Sequence, residues 1–245
     1  MIFFENFGYC PCCEKDTKFV AKSEWLRDDY ICENCDSIPR ERALMLSLNR
    51  LYPDWRQLTI HESSPVFRGA SKHIKEECQN YIPTFYYPDR PLGSFWGEYR
   101  CENLENLTFA NDSIDIHITQ DVFEHILDPK QAFKEIARTL KPGGAHIFTV
   151  PLVNKSQPSK VRAYRLEDGT IRNILGPVFH GDPINEKGSL VTMDWGYDIG
   201  KFIFDETGLF TQIIYIDDIS KGIRAELIEV LVTRKDGHTE FDWIT

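Results

Sequence analysis

The sequence predicts an α/β fold in which a mainly parallel sheet carries helices on both faces, preceded by a small cysteine-rich module. Helical and strand-like periodicities alternate between about residues 39 and 235, which is the pattern of a parallel sheet covered by helices. The 245 residues are 42% hydrophobic, enough to bury a core of ordinary size. Five of the seven cysteines fall within the first 35 residues, so the extra module is expected at the N-terminus.

Four of these cysteines have the spacing of a zinc site. Cys10 and Cys13 form one C-x2-C pair, Cys32 and Cys35 form another, and 18 residues separate the pairs. Two such turns, joined by short strands at about 18–21 and 30–31, point four thiolates at one tetrahedral ion. We therefore predict a zinc-ribbon-like module at residues 1–38 that holds a structural Zn²⁺. Cys12 is the alternative ligand to Cys13, and unligated cysteines or an adventitious disulfide are the alternative to a metal.

A helix should connect this module to the main domain. It begins near Pro39, a residue favoured in the first turn of a helix, and continues through good helix formers to about Leu48. We expect Arg40 and Arg42 to be solvated side chains of its first turn, with a ligand-facing position as the alternative.

Strands and helices then alternate along the main domain, residues 39–235. The expected elements are strand 57–61, helix 69–77, strand 80–87, strand 113–119, helix 129–140, strand 145–150, helix 201–208 and strands 211–216 and 226–234. Pro83 interrupts the second strand, and residues 141–144 (KPGG) are expected to form a turn after the helix. Residues 152–197, rich in turn formers, indicate an insertion on the substrate side, and residues 236–245 a polar tail.

Charge and apolar patterning disfavour several classes of function. A net charge of −10 repels phosphate backbones at long range, so nucleic acid is a disfavoured partner. No run approaches the roughly 20 apolar residues of a membrane span. The first residues lack the basic flank of a signal peptide, and clustered cysteines suit a reducing compartment, so we expect a cytoplasmic protein.

One run of residues resembles a known enzyme family. It comprises residues 111–115 (NDSID), 120–129 (QDVFEHILDP) and 132–144 (AFKEIARTLKPGG). This run resembles the second half of class I S-adenosylmethionine-dependent methyltransferases of the type 11 and 12 groups. The resemblance implies a Rossmann-like methyltransferase sheet that binds S-adenosylmethionine at the carboxyl ends of its strands. A nicotinamide cofactor would instead require Gly-x-Gly-x-x-Gly after the first strand, and that motif is absent.

The resemblance also assigns the cofactor site to loops that follow the strands. In the family a glycine-rich loop follows the first strand, whereas small residues and a proline occupy those places here. Residues 100–104 resemble the loop that usually touches adenine, and the region after the second strand offers no acid before Asp89. The cofactor-binding residues implied by the resemblance are Glu62, Ser63, Ser64, Pro65, Glu102, Asn103, Gln120 and Asp121.

The leading hypothesis is therefore a methyltransferase acting on a small-molecule or carbohydrate-like acceptor. A hydroxyl acceptor needs a base, and the insertion offers His180 and Asp194, each with a purely structural role as its alternative. Phe179, Trp195 and Tyr197 are candidates for excluding water from the site. The rival hypotheses are a non-catalytic zinc-ribbon interaction protein with a degenerate methyltransferase domain, and protein or RNA methylation guided by the zinc module. The acceptor and the oligomeric state are left open.

Overall fold

The N-terminal module is a three-stranded antiparallel sheet in the computed structural model, which describes residues 2–182 and 185–235. Its strands and one short helix are β1 (Phe4–Cys10), β2 (Lys15–Ala21), α1 (Leu26–Asp29) and β3 (Tyr30–Cys32). The strands predicted around residues 18–21 and 30–31 are confirmed. Helix α1 was not predicted from the sequence; it carries Arg27, a residue that is 8% exposed.

The first half of the main domain contains six strands and three helices. Their bounds are α2 (Pro39–Leu51), β4 (Thr59–Ser63), α3 (Gly69–Glu77), β5 (Asn80–Phe85), β6 (Phe95–Trp96), β7 (Tyr99–Cys101), β8 (Ile114–Gln120), α4 (Pro129–Thr139) and β9 (Leu140–Thr149). Pro39 occupies the start of α2 as predicted. A 3-10 helix at Trp55–Gln57 fills the place where the first strand was expected to begin, so β4 starts two residues later than predicted.

The described residues of 152–197, which exclude 183 and 184, form three small antiparallel pairs of strands. Strand β10 (Lys160–Val161) pairs with β15 (Met193–Asp194), β11 (Ala163–Arg165) with β12 (Ile171–Asn173), and β13 (Phe179–His180) with β14 (Ser189–Leu190). The last elements are α5 (Ile199–Thr207), β16 (Thr211–Ile214), a second 3-10 helix (Ile219–Lys221) and β17 (Val230–Arg234). Helix α5 ends at Gly208, whose φ of 74° suits a left-handed cap. The predicted tail, 236–245, lies outside the described residues.

Eight strands form the central sheet in the order β16-β17-β9-β8-β4-β5-β7-β6. Strands β9, β8, β4, β5 and β7 are parallel neighbours, while β17 pairs antiparallel with both β9 and β16. The α/β fold with a mostly parallel sheet is thus as predicted. The order of the parallel strands reverses at β4, which places a crevice at the carboxyl ends of β4 and β8.

The two faces of the sheet bury separate cores. Along β9, Ile147 faces a core shared with α2, α3 and the N-terminal module, whereas Phe148 faces a core shared with α4 and α5. Val230 and Leu231 of β17 alternate in the same way. This period of two is what a sheet covered on both sides requires.

Two local expectations differ from the structure. Pro83 does not interrupt β5, because β7 pairs only with Thr84 and Phe85, so the missing N–H of Pro83 faces an unpaired edge. Residues 141–144 belong to β9 instead of forming a turn, and the strand absorbs them through a register shift against β8 and a φ of 81° at Gly143. Across the described ranges, no helix has the length and apolar character needed to cross a membrane.

Candidate functional site

The four predicted zinc ligands converge at one end of the N-terminal sheet. The Sγ atoms of Cys10 and Cys35 lie 3.7 Å apart, those of Cys13 and Cys32 lie 3.9 Å apart, and all four Sγ atoms lie within 4.8 Å of one another. Bonds of about 2.3 Å to a tetrahedral zinc ion imply sulfur separations of roughly 3.8 Å. The donor set and its spacing therefore fit Zn²⁺. Cys12 is buried outside this group, which includes Cys13 instead.

A cleft of about 720 Å³ lies at the carboxyl ends of β4, β5 and β8. Its volume is in the range of about 300–1,000 Å³ that is usual for ligand sites. Of the predicted cofactor residues, it is lined by Ser63, Ser64, Glu102, Asn103, Gln120 and Asp121. The cleft therefore joins segments that are distant in the sequence at the edge where a parallel sheet places its ligands.

The loop after β4 lets the backbone approach this cleft closely. Ser64 has a φ of 56°, in the left-handed region that glycine adopts most easily. Glu62 is fully buried beneath the loop, where its carboxylate accepts hydrogen bonds from Ser71, Tyr81 and Gln120 at 2.6–2.9 Å. Burial raises the pKa of Glu62. Glu62 thus does not line the cleft but holds Gln120, which does.

The far wall of the cleft is formed by the loop after β7. Both carboxylate oxygens of Glu102 are engaged, by the Arg100 guanidinium at 2.6 Å and by the backbone N–H of Thr108 at 2.9 Å. The side chain of Asn103 accepts a hydrogen bond from the backbone of Glu105. Gln120 is placed opposite, and its buried Oε1 has no hydrogen-bond partner within residues 2–182 and 185–235. This acceptor is available to a ligand that donates a hydrogen bond.

Asp121 is held by two arginines that sequence reasoning did not connect to the site. Its carboxylate lies 2.6 Å from the Arg27 guanidinium and 2.9 Å from that of Arg40, and it accepts a hydrogen bond from Thr149. Burial opposes ionisation, but Arg40 and Arg27 outweigh it and lower the pKa of Asp121. Arg40 is 9% exposed and Arg42 is fully buried, so the expectation that both are solvated was wrong.

The insertion reaches the cleft by docking onto the loop after β8. Thr192 donates its backbone N–H to the carbonyl of Glu124 at 2.7 Å, and the Trp195 indole donates to the carbonyl of Phe123 at 3.1 Å. This docking carries the β13–β14 hairpin to the cleft, where His180 lies beside Glu124 and His125. The Glu124 carboxylate raises the pKa of His180, and partial burial opposes it.

Other predicted residues of the insertion lie away from the cleft lining. Asp194 forms an ion pair with Arg162 at 2.7 Å in the β10–β15 pair. Trp195 is buried against Phe133 and Phe202, and the Tyr197 hydroxyl contacts Glu229 at 3.2 Å. Phe179 is 57% exposed. Pro65 follows Ser64 in the same loop, is buried and does not line the cleft.

Part of the chain matches a family of known function. Residues 83–148 match the family described as "Methyltransferase domain". The ubiquinone biosynthesis O-methyltransferase of Parvibaculum lavamentivorans is 38% identical over 85 residues, which cover 34% of this chain and 32% of that protein. The glycine/sarcosine/dimethylglycine N-methyltransferase of Actinopolyspora halophila is 26% identical over 137 residues, 55% of this chain and 20% of that protein. The chain thus spans a third or less of the length of these curated relatives.

Among solved structures, similar ones include an S-adenosylmethionine-dependent methyltransferase from Mesorhizobium loti, with a TM-score of 0.49 and 14% identity over 78% of this chain and 97% of that chain. Another is the 1,6-didemethyltoxoflavin-N1-methyltransferase of Burkholderia thailandensis, solved with bound 1,6-didemethyltoxoflavin and S-adenosylhomocysteine. It has a TM-score of 0.49 and 13% identity over 80% of this chain and 78% of that chain.

Proposed function

We propose that this chain is a class I S-adenosylmethionine-dependent methyltransferase that acts on a small-molecule or carbohydrate-like acceptor. One observation carries the proposal. The segment that matches a methyltransferase domain, 83–148, supplies one wall of a cleft whose other walls include the left-handed turn at Ser64 and the insertion with His180. The names of the curated relatives, which point to ubiquinone precursors and to glycine derivatives, support a small acceptor.

The residues around the cleft divide between cofactor and acceptor. Ser63 and Ser64 would bind the methionine part, with Gln120 held in place by Glu62, and the loop containing Glu102 and Asn103 would face the adenosine part. The cofactor supplies a methyl group on a sulfonium. These protein groups bind and orient it, and positioning of two reactants can contribute roughly 7–11 kcal/mol of rate acceleration.

The acceptor would lie on the side of the cleft formed by the insertion. His180 is half-exposed there and Glu124 is buried beside it, so this pair is the part of the cleft best suited to activate a hydroxyl. In a metal-free site, His180 would take the proton of the acceptor. Asp194 has no part in this proposal because it is paired with Arg162 outside the cleft lining.

The N-terminal module would hold one structural zinc ion through Cys10, Cys13, Cys32 and Cys35. Four thiolates close the coordination sphere, so this ion would stabilise the module and take no part in chemistry. We propose the cytoplasm as its compartment, because clustered thiols stay available for zinc under reducing conditions.

Calorimetric titration with S-adenosylmethionine tests the cofactor assignment. Ser64→Trp should abolish binding, because the indole would fill the space that the backbone turn leaves open. Ser64→Gly is the matched control, because glycine accepts the left-handed φ of 56° without strain, and it should bind within a few-fold of the unaltered protein. If the unaltered protein does not bind S-adenosylmethionine, the alternative of a non-catalytic zinc-ribbon interaction protein is favoured. If Ser64→Trp binds it normally, the cofactor does not bind next to Ser64.

A further inference from the structure

Three side chains that can bind a metal meet where the insertion closes over the loop after β8. Glu124 is 2% exposed, and neither of its carboxylate oxygens has a hydrogen-bond partner in the part of the chain that the structure describes. Its Oε1 lies 3.7 Å from Nε2 of His125 and 3.7 Å from Nδ1 of His180. Burying a carboxylate without a hydrogen bond costs folding free energy. The carboxylate of Glu124 therefore calls for a bound partner, such as a metal ion.

The ring of His125 presents a suitable nitrogen to such a partner. Nδ1 of His125 lies 2.9 Å from the carbonyl oxygen of Leu190, so it carries the hydrogen and donates it there. The Nε2 atom is then the ring nitrogen left to bind a metal ion, and it faces Glu124. Metal-binding histidines almost always donate their other N–H to a carbonyl or carboxylate in this way. The His125 and His180 rings are perpendicular, with centroids 5.0 Å apart.

The spacing of the donors fits a single ion. Their ligand atoms lie within 4.8 Å of one another, and bonds of about 2.0–2.2 Å would place them roughly 3.0–3.5 Å apart. Closure by about an ångström is within reach of His180, which is exposed on a small hairpin. Two imidazoles and one carboxylate suit zinc, iron, cobalt or manganese better than magnesium or calcium, which prefer oxygen ligands.

We propose that Glu124, His125 and His180 bind a divalent first-row transition metal ion, whose open coordination positions hold a hydroxyl of the acceptor. Three protein ligands leave positions free for substrate, unlike the closed set of four cysteines. The acceptor hydroxyl loses its proton to water at the mouth of the cleft. Its oxygen then bonds to the methyl carbon, and the sulfur–methyl bond breaks with its electron pair going to sulfur. His180 then acts as a ligand instead of taking the proton. The acceptor role rests on the proposed function, whereas metal binding does not.

Titration with Co²⁺ tests the site in protein that already contains one zinc ion per chain. We expect one cobalt ion per chain beyond the zinc, with visible absorption bands of nitrogen and oxygen ligation and without a thiolate charge-transfer band. Glu124→Gln and His180→Ala should each weaken this binding at least as much as the 10–100-fold typical of losing an outer-shell partner.

Matched controls separate this site from adventitious binding. Glu229→Gln alters another buried glutamate with an unpartnered oxygen, and His73→Ala alters a histidine 3.6 Å from the carboxylate of Glu14; both variants should keep the cobalt site. If Glu124→Gln fails to fold, the His180→Ala variant still tests the proposal, because His180 is exposed and its replacement should not affect folding. The proposal is overturned if no second ion binds, or if either site variant binds it normally. Binding of S-adenosylmethionine, measured in parallel, reports on the proposed function separately.

Discussion

At the scale of single residues, Asp121 combines a strained backbone with a buried charge. Its φ of 53° is unfavourable for a residue with a side chain, and two guanidiniums with a hydroxyl hold it there. The family resemblance assigned Asp121 to the cofactor site, and Asp121 lines the cleft. The arginines were beyond sequence reasoning, because Arg27 is 94 residues away along the chain and belongs to another module.

Asp121→Asn should destabilise the protein by about 3–5 kcal/mol, because it leaves two buried guanidiniums with only the half-exposed carboxylate of Asp28, 3.6–3.7 Å away, as a counter-charge. The free energy of unfolding in urea measures this loss. Asp217→Asn is the control, since its pairing with Arg224 is 42–47% exposed and should contribute less than about 1 kcal/mol. Equal effects of the two substitutions would show that the charge of Asp121 is solvated.

At the scale of elements, β4, β8 and β9 carry a row of buried histidines. His61, His117 and His146 are register partners and none is exposed. Nδ1 of His61 lies 2.7 Å from Nδ1 of His117, and each outer nitrogen of this pair contacts a threonine hydroxyl at 2.8 Å. Burial lowers the pKa of His61 to about 3 and holds those of the other two well below the ordinary value.

Because of these three buried histidines, the free energy of unfolding should decrease as the pH falls. Each stays neutral in the folded protein and gains a proton on unfolding below pH 6.5. The free energy of unfolding should therefore fall, as the pH drops from about 6.5 towards 3, by up to about 1.4 kcal/mol per pH unit for each ring. Urea unfolding at several pH values between 5 and 6.5 measures the slope, in a range where few carboxylates titrate.

His146→Leu should reduce the pH dependence of the free energy of unfolding by the contribution of one histidine. Thr119→Val is the matched control, because it removes the 3.0 Å contact between Thr119 and the His146 ring and keeps the ring itself. The control should retain the full slope. An unchanged slope in His146→Leu would mean that this ring is protonated in the folded state.

Most elements of the fold could be predicted because their signals are local. Periodicity located the strands, and Pro39, Asp128 and Gly208 marked helix ends by known capping chemistry. The exceptions depend on neighbours. Pro83 is tolerated only because β7 is short, and residues 141–144 join β9 only because β8 accepts a register shift. Pairing partners of this kind are not visible in a single sequence.

At the scale of the whole molecule, the N-terminal module is part of the wall of the cleft. Trp25, Arg27 and Asp28 of this module line it, and Arg42 ties the module to the main domain through the carbonyls of Tyr30 and Gly222. From the sequence we proposed the two modules, the four cysteines as zinc ligands and the loops around the cleft as the cofactor site. The contact between the two modules could not be predicted, because it depends on side chains that meet across long separations.

Removal of zinc should therefore weaken the binding of S-adenosylmethionine as well as unfold the module. We expect a loss in affinity of about tenfold or more, typical of coupling between two sites. Calorimetry on Cys32→Ser, with zinc content measured in parallel, checks it. Cys78→Ser alters a buried cysteine outside the cluster and should retain both zinc and affinity. If zinc-free Cys32→Ser protein binds S-adenosylmethionine with full affinity, zinc binding in the module does not influence cofactor binding in the cleft.

The contacts between the N-terminal module and the main domain also affect how the chain folds during its synthesis. Arg27 donates to the carbonyl of Leu227, 200 residues later, and Arg42 to that of Gly222, 180 residues later. At roughly 5–20 residues per second, a nascent module waits about 10–40 s for these partners to leave the ribosome. Its four thiols are complete by residue 35 and are able to take up zinc long before that. Ribosome-bound chains that stop before residue 222 should therefore hold the metal yet remain open to proteases at the surface of α2.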